Sequence, residues 1–499
     1  MKMERVDLLQ AEAPVTSVSD RAQELCARAK ALEEAGKFEE ARLILNEFWQ
    51  RIGERPKLDD LDRPVRAELL LRVGALSGWI GSTNQIPGAQ EIAKDLISES
   101  SAIFQELKMT ERVAEARVDL GTCYWREGSL DEARISFDDA LQLLGDMESE
   151  QRLRALLNKA IVEQVSSRLK EALKILAQSE SLFENSSNQM LRGKFHNEFA
   201  TVLKNLGLAE GREDYIDRSL MQYTAASIEF EQVGHARLLS GVENNLAGMF
   251  AHLGRFEEAH FHVNRAVAVI TKSDKGRRAQ FEDTRARVFL AQGKLKEAEK
   301  ISASAVKGFR EGDEQGHLAA ALTTHATIHA RLGRKSEALA MLSEAVSVAT
   351  QAGVPENAGI ASLTLVEELS SILSPAELQD HYRRAESSLK HSQHATVRSR
   401  LGECARKILA NEARASSITQ SEGAAPTVTG STLEEQVLRY EGELIKRALQ
   451  ASDGSVTRAA RLLGVTHQGL AFILNGRQKN LLSSRKPAKP RRRSIIRYH

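Results

Sequence analysis

Eleven Lys and Arg residues and no Asp or Glu lie between Gly454 and His499. Nine of them fall in Arg477–Arg497, among them Arg477, Lys479, Arg485, Lys486, Lys489 and the triplet Arg491, Arg492, Arg493. The whole chain carries +1, so residues 1–453 carry −10. An acidic body with a basic end is built to dock a polyanion, because each cation set beside a phosphate releases a condensed counterion. Alone, such an end is also compatible with a solvated tail or an anionic membrane surface. Bond-making chemistry finds no comparable cluster. The sequence has no glycine-rich phosphate loop with its following Lys, no paired-His zinc helix, no Cys-x-x-Cys and no nucleophile elbow. His260 and His262 are two apart in helix-forming sequence, which points them to different faces and suits one metal poorly. Glu257-Glu258 and Asp138-Asp139 sit in amphipathic stretches and read as solvated faces. Cys26, Cys123 and Cys404 are odd in number and far apart, so neither a disulfide framework nor a zinc site is expected. The expectation is a protein that is not an enzyme and takes no metal and no cofactor.

The stretch just before the basic run is the one that must position it. Leu433, Val437, Leu438, Leu444, Ile445, Ala448 and Leu449 recur at three- and four-residue spacing, so Leu433–Ala451 reads as a helix with one apolar face. Ser452, Asp453 and Gly454 supply a turn. Ser455 or Thr457 then caps a second helix carrying Ala459, Ala460, Leu462 and Leu463. Gly464 breaks it where positive φ is needed, and Thr466 caps a third helix running to about Leu474. Ala460 is small where two helices cross, and Leu463, Val465, Leu470 and Ile473 are expected to bury the third helix. Two short helices about a glycine turn make a helix-turn-helix, though the pattern alone also fits an ordinary three-helix bundle.

Leu444–Leu474 resembles the Fis-type helix-turn-helix, a bacterial DNA-binding module. Gly454, Val456, Arg458-Ala459-Ala460, Leu462-Leu463-Gly464-Val465 and Leu470 carry the resemblance. It implies that the third helix enters the major groove of double-stranded DNA. Thr466, His467, Gln468, Ala471 and Phe472 would then face bases or backbone, with Gln468 able to read adenine and Thr466 to meet a phosphate or methyl group. Arg458 and Arg461 on the second helix, with the basic run, are the expected phosphate contacts. Gly469 stands where Ser or Thr is usual and lowers helix propensity by about 1 kcal/mol. Modules of this type commonly pair, so a homodimer is also a candidate state.

The remaining four hundred residues repeat. A glycine followed five residues later by alanine recurs at Gly36/Ala41, Gly128/Ala133, Gly254/Ala259, Gly293/Ala298 and Gly333/Ala338, and more weakly at Arg168–Ala172. Ala259, Ala298 and Ala338 are 39 and 40 apart, so the period is near 40. The units resemble tetratricopeptide repeats, best at Val113–Leu144, where Leu120, Gly121, Tyr124, Ala133, Phe137 and Ala140 fall at the family's spacings. Further units are anchored by Ala247, Phe250, Ala259, Val263 and Ala266, by Ala286, Phe289, Ala298 and Ala305, and by Ala326, Ala338, Leu342 and Ala345, with His329 where a large apolar residue is usual. Ala93 and Ser219 are expected anchors in the degenerate stretches at 50–105 and 180–240, which completes about eight pairs. Leu363–Leu409 reads as two or three further helices, one starting at Ser374-Pro375.

The chain is therefore expected to be all-α. Residues 1–410 form a tetratricopeptide-like α-solenoid, 411–432 a flexible linker of roughly 25 Å span, 433–480 a Fis-like helix-turn-helix and 481–499 a basic tail. The expected function is that of a DNA-binding transcriptional regulator of bacterial type, whose array takes a protein or peptide ligand on its concave face. The alternatives are a scaffold whose C-terminal bundle binds no DNA, and a regulator that senses a peptide. No run approaches 18 apolar residues and the first seventeen residues lack the form of a signal peptide, so no membrane contact is expected and the cytoplasm is the expected compartment.

Overall fold

The structure is a computed structural model that describes residues 17–484 except 85, 272–273, 313, 391, 393–394 and 421–432. It divides between Glu412 and Ala413 into two compact units. Among the described residues there is no strand. The first unit is a stack of helix pairs: α1 (Val18–Glu34) with α2 (Phe38–Ile44), α3 (Arg63–Thr83) with α4 (Ala89–Glu106), α5 (Thr110–Glu127) with α6 (Leu130–Leu144), and α7 (Glu150–Val165) with α8 (Leu169–Glu184). It continues with α9 (Gln189–Glu210) and α10 (Glu213–Gln232), α11 (Ala236–His252) and α12 (Phe256–Val269), and α13 (Lys275–Ala291) and α14 (Leu295–Arg310). Then come α15 (Gln315–Arg331) with α16 (Lys335–Gln351), α17 (Pro355–Leu369) with α18 (Pro375–Leu389), and α19 (Ala395–Gln420). The described residues thus hold nine pairs. The all-α solenoid read from the repeats is the fold observed.

The turns that carry the repeat glycine are closed by the same device. Gly128 takes φ +85°, its amide reaches Trp125 O at 3.0 Å, and Ser129 N reaches Tyr124 O at 2.9 Å. The last carbonyls of the helix are satisfied and the chain reverses in a few residues. Gly36, Gly254, Gly293 and Gly333 do the same. The weakest repeat keeps this geometry without its glycine. Ser167 holds φ +61°, with Arg168 N on Glu163 O at 2.8 Å. A side chain in that left-handed conformation costs roughly 1 kcal/mol, which the stacking of α7 on α8 sustains.

The anchors pack as their sizes require. Ala133, Ala259, Ala298 and Ala338 are fully buried. A Cβ on Gly121 would lie 2.7 Å from the Phe137 ring, so only hydrogen fits there. Ala93 and Ser219 both sit at helix crossings with no exposure, and Ser219 Oγ donates to Ala200 O at 2.8 Å. His329 is buried and held by Glu337, 2.9 Å from its Nδ1. Ser374 opens α18 with a reciprocal capping box to Glu377.

Asn411–Gln420, expected as linker, is instead the end of α19. Its Glu, Ala and Arg continue a helix already under way, and glycine and proline come only at Gly423 and Pro426. Residues 421–432 lie outside the described residues.

Candidate functional site

The second unit packs α20 (Leu433–Ala451), α21 (Val456–Leu462), α22 (His467–Asn475) and a short 3-10 turn (Lys479–Ser484) around one small core. Ile445, Ala448, Leu449, Val456, Ala459, Ala460, Leu470, Leu474 and Leu481 make that core. Asp453 at φ +51° and Gly454 at +73° turn the chain out of α20, and Ser455 caps α21 through Arg458 N. Gly464, at +67°, ends α21, with Val465 N on Ala460 O at 3.0 Å. Thr466 Oγ1 then accepts from Gly469 N at 3.0 Å and starts α22.

That cap explains Gly469. It is the third residue of α22, and a Cβ there would lie 3.1 Å from Thr466 Oγ1. The residue therefore gives the cap room and does not interrupt the middle of a helix. Two packing expectations are corrected. Val465 is 42% exposed, because the turn carries it outward, and Leu474 closes the core in its place. The apolar face of α20 is buried only in its C-terminal half. Val437 is exposed near the start of the helix, and Leu444 is exposed because it lies one position off the face that buries Ile445, Ala448 and Leu449.

The outer face of α22 is free. Thr466, His467, Gln468 and Phe472 are exposed, Phe472 at 79%, and Ala471 is half-buried beside them. His467 and Gln468 make no side-chain hydrogen bond among the described residues. Asn475 is exposed and lies seven residues from Gln468, hence on the same face. It was not legible as a site residue, since nothing in the sequence separates it from a helix-ending Asn. Arg458 and Arg461 are exposed and have no ion pair among the described residues, and Lys479 is exposed. Arg477 is spent differently: Glu441 grips its guanidinium, with Nε 2.8 Å from Oε2, and the neighbouring Gln478 amide donates to Leu438 O at 2.6 Å. That clamp fastens the chain after α22 to α20. Arg485, Lys486, Lys489, Arg491, Arg492 and Arg493 lie outside the described residues.

The array has a second concentration of polar side chains, on the inner faces of its first helices. Arg72 on α3 is 1% exposed. Its guanidinium meets Glu115 at 2.6 Å, Glu33 at 2.9 Å, Glu68 at 3.3 Å and Asp119 at 3.6 Å. Lys30 reaches Glu115 at 3.0 Å, Arg154 reaches Asp119 at 3.0 Å, and Arg112 pairs with Glu68 and Glu115. Burial pushes the Glu115 carboxyl up, but Arg72, Arg112 and Lys30 outweigh it and hold it at about 2. Burial dominates at Glu33, whose carboxyl is raised despite Arg72. This belt ties α1, α3, α5 and α7 together, and none of it stands out in the sequence because its members are scattered over 125 residues. The pairs of histidines and carboxylates weighed for chemistry stay apart. His260 Nε2 meets Gln292 and His262 Nδ1 meets Glu243, while Asp138 and Glu258 pair with Lys159 and Arg255 on the surface. The three cysteines are buried and free.

The fold and the free face together define a helix-turn-helix regulatory module following a helical-repeat array. Comparison with known proteins gives the particular kinds. Residues 439–471 match the family described as bacterial regulatory protein, Fis family, and residues 114–143 match the tetratricopeptide repeat. A search of curated proteins returned no match. Among solved structures, the apo form of RapI is similar at 12% identity with TM-score 0.55, covering 74% of this chain and 97% of that one. A Rap protein complexed with competence and sporulation factor is similar at 14% identity with TM-score 0.45, over 69% of this chain and 99% of that one. The apo quorum sensor NprR from B. thuringiensis is similar at 12% identity with TM-score 0.40, over 67% and 97%. The RapI likeness shows the array's fold. No described helix is long and apolar enough to cross a membrane.

Proposed function

We propose that the protein is a DNA-binding transcriptional regulator in which α22 enters the major groove and the helical array receives a protein or peptide. The observation that carries the first half is the free outer face of α22. Exposed His467, Gln468, Phe472 and Asn475 have no side-chain partner among the described residues, Thr466 beside them caps α22, and Arg458 and Arg461, also without an ion pair among the described residues, flank them. Gln468 and Asn475 suit adenine, and Phe472 suits a thymine methyl. Arg458, Arg461 and Lys479, with the basic run after 484, supply phosphate contacts. Arg477 contributes less than its charge implies, because reaching DNA means leaving Glu441.

Fluorescence anisotropy of labelled duplex DNA tests this. With roughly six to eight phosphates neutralised, the log–log salt slope for the full chain is about −5 to −7. A slope near −1 removes the basic tail from the interface. No binding at low salt leaves the C-terminal unit a packing bundle and turns the protein into a scaffold.

For the array, α11 carries the supporting observation. Gly241 and Gly248 are one face of a helix interior, and a Cβ on either would meet nothing within 4 Å. Each glycine costs the helix about 1 kcal/mol, and no neighbour needs the space, so the bare backbone is left for a ligand. A homodimer rests on α20, where Val437, Tyr440 and Leu444 form an exposed apolar stripe. Sedimentation of the full chain that stays monomeric at 50 μM removes that part.

A further inference from the structure

The turn after α1 comes back into contact with the start of α11. A Cβ on Gly36 would lie 3.2 Å from Nε2 of His235, whose Nδ1 accepts from Leu238 N at 3.2 Å. Behind this contact α1, α3, α7, α9 and α11 line a chamber of about 350 Å³ that is open to solvent on one side. That lies at the small end of the roughly 300–1,000 Å³ typical of ligand cavities.

One wall of the chamber is a fixed aromatic surface. The Trp79 ring stacks 4.3 Å from Phe38 on one side and 3.4 Å from the Arg126 guanidinium on the other. Met190, Leu191 and Leu238 add apolar surface. The floor is the belt around Arg72, where every charge is compensated. The remaining wall is not. Glu34, Glu150, Lys194 and Arg237 all line the chamber, yet none has a hydrogen bond or ion pair for its charged end among the described residues. All four are exposed to the water of the pocket, with its apolar wall beside them. Burial lowers the Lys194 ammonium, with Arg154 adding to it, and burial raises the Glu34 carboxyl, with Glu150 adding to it.

Charges of both signs, left without partners around an aromatic wall, define the ligand. A phosphate ester would need cations only, and a fatty acid would leave Glu34 and Glu150 unanswered. A folded protein segment does not fit the volume. We propose that the chamber binds a peptide of two or three residues with both termini free, its carboxylate on Lys194 and Arg237, its ammonium on Glu34 and Glu150, and an apolar side chain against Met190, Leu191, Leu238 and the edge of Trp79. This deepens the reading of the array as the receiving half of the protein and does not depend on what α22 binds.

The test is equilibrium dialysis of the full chain against a mixed tripeptide pool with free termini, with retained species identified by mass spectrometry. Parallel pools are N-acetylated or C-amidated. The expected result is at least tenfold enrichment of free-ended tripeptides bearing apolar or aromatic residues, lost in both capped pools. Lys194→Met with Arg237→Met lowers enrichment at least tenfold, Glu150→Gln lowers it for the free-amine pool only, and Lys174→Ala on the outer helix α8 leaves it unchanged. Circular dichroism of each variant checks folding, and Glu150→Gln stands in if the double variant unfolds. Equal retention of free and capped pools, or no enrichment by the unsubstituted chain, overturns the proposal. Duplex anisotropy on the same samples reads the regulator function separately, so either half can fail alone.

Discussion

Replacing Arg72 by Met removes the guanidinium shared by four carboxylates while keeping most of the side-chain volume. Arg72, Glu33, Glu115 and Asp119 are all buried, and removing one partner of such a cluster destabilises by roughly 3–5 kcal/mol, because the others are left desolvated and unpaired. Glu115 held at about 2 against an ordinary value of 4.5 corresponds to on the order of 3 kcal/mol from Arg72, Arg112, Lys30 and Arg154 together, so Arg72 carries part of it. The pH dependence has a definite sign. A carboxyl with a depressed folded pKa contributes fully above its unfolded value and loses the contribution as pH falls through the folded one. In the variant the field that opposes burial is weaker and the Glu115 carboxyl rises, so protonation relieves the repulsion at a higher pH. The deficit is therefore largest at neutral pH and smaller at pH 4.5. Urea unfolding at both pH values measures it, and hydrogen exchange locates the loss in α1, α3 and α5. A loss below about 1 kcal/mol at pH 7.5, or one equal at both pH values, refutes the account of the belt.

Ser167→Gly relieves a side chain held at φ +61° and raises stability by about 0.5–1 kcal/mol, net of the greater freedom glycine gives the unfolded chain; a lower urea midpoint would contradict the assigned geometry. Phe472→Ala, at a side chain 79% exposed, leaves the melting temperature within a degree and weakens specific DNA binding by about 1–2 kcal/mol, roughly five- to thirtyfold in Kd, whereas a large stability loss would place Phe472 in the core. His325 is buried, donates to or accepts from Ser302 at 2.7 Å, and is lowered to about 4 by burial and by His329. Unfolding therefore takes up a proton between pH 6.5 and 4, and stability falls across that window as pH is lowered, by on the order of 3 kcal/mol. His325→Gln should flatten that slope, and an unchanged slope would assign it elsewhere.

The repeats were legible because their signal is local: a small residue at a crossing and a glycine five residues before an alanine recur within single helix pairs. The second-unit turns were legible for the same reason, since Gly454, Gly464 and Thr466 act on their own neighbours. What escaped depends on separation. Glu34, Trp79, Glu150, Lys194 and Arg237 meet only because the stack curves, and no spacing in the sequence relates them. Ser167 escaped because backbone geometry persisted after the residue that marks it had gone. Val437 and Leu444 fit the spacing of a buried face, but spacing alone does not fix which edge of a broad apolar stripe meets the partner helices. Asn411–Gln420 was hidden by its Ser and Thr content, although the helix before it had no residue to stop it.

The meeting of Gly36 with His235 changes how the array melts. In an open stack each pair touches only its neighbours, and stability is close to a sum of nearest-neighbour terms, with ends that fray independently. A contact between residues 199 apart in sequence adds a term that vanishes when any intervening pair opens. Pairs one to six are then expected to open together more than pairs seven to nine do, and hydrogen exchange in α1 measured before and after His235→Ala reads how much that one contact contributes.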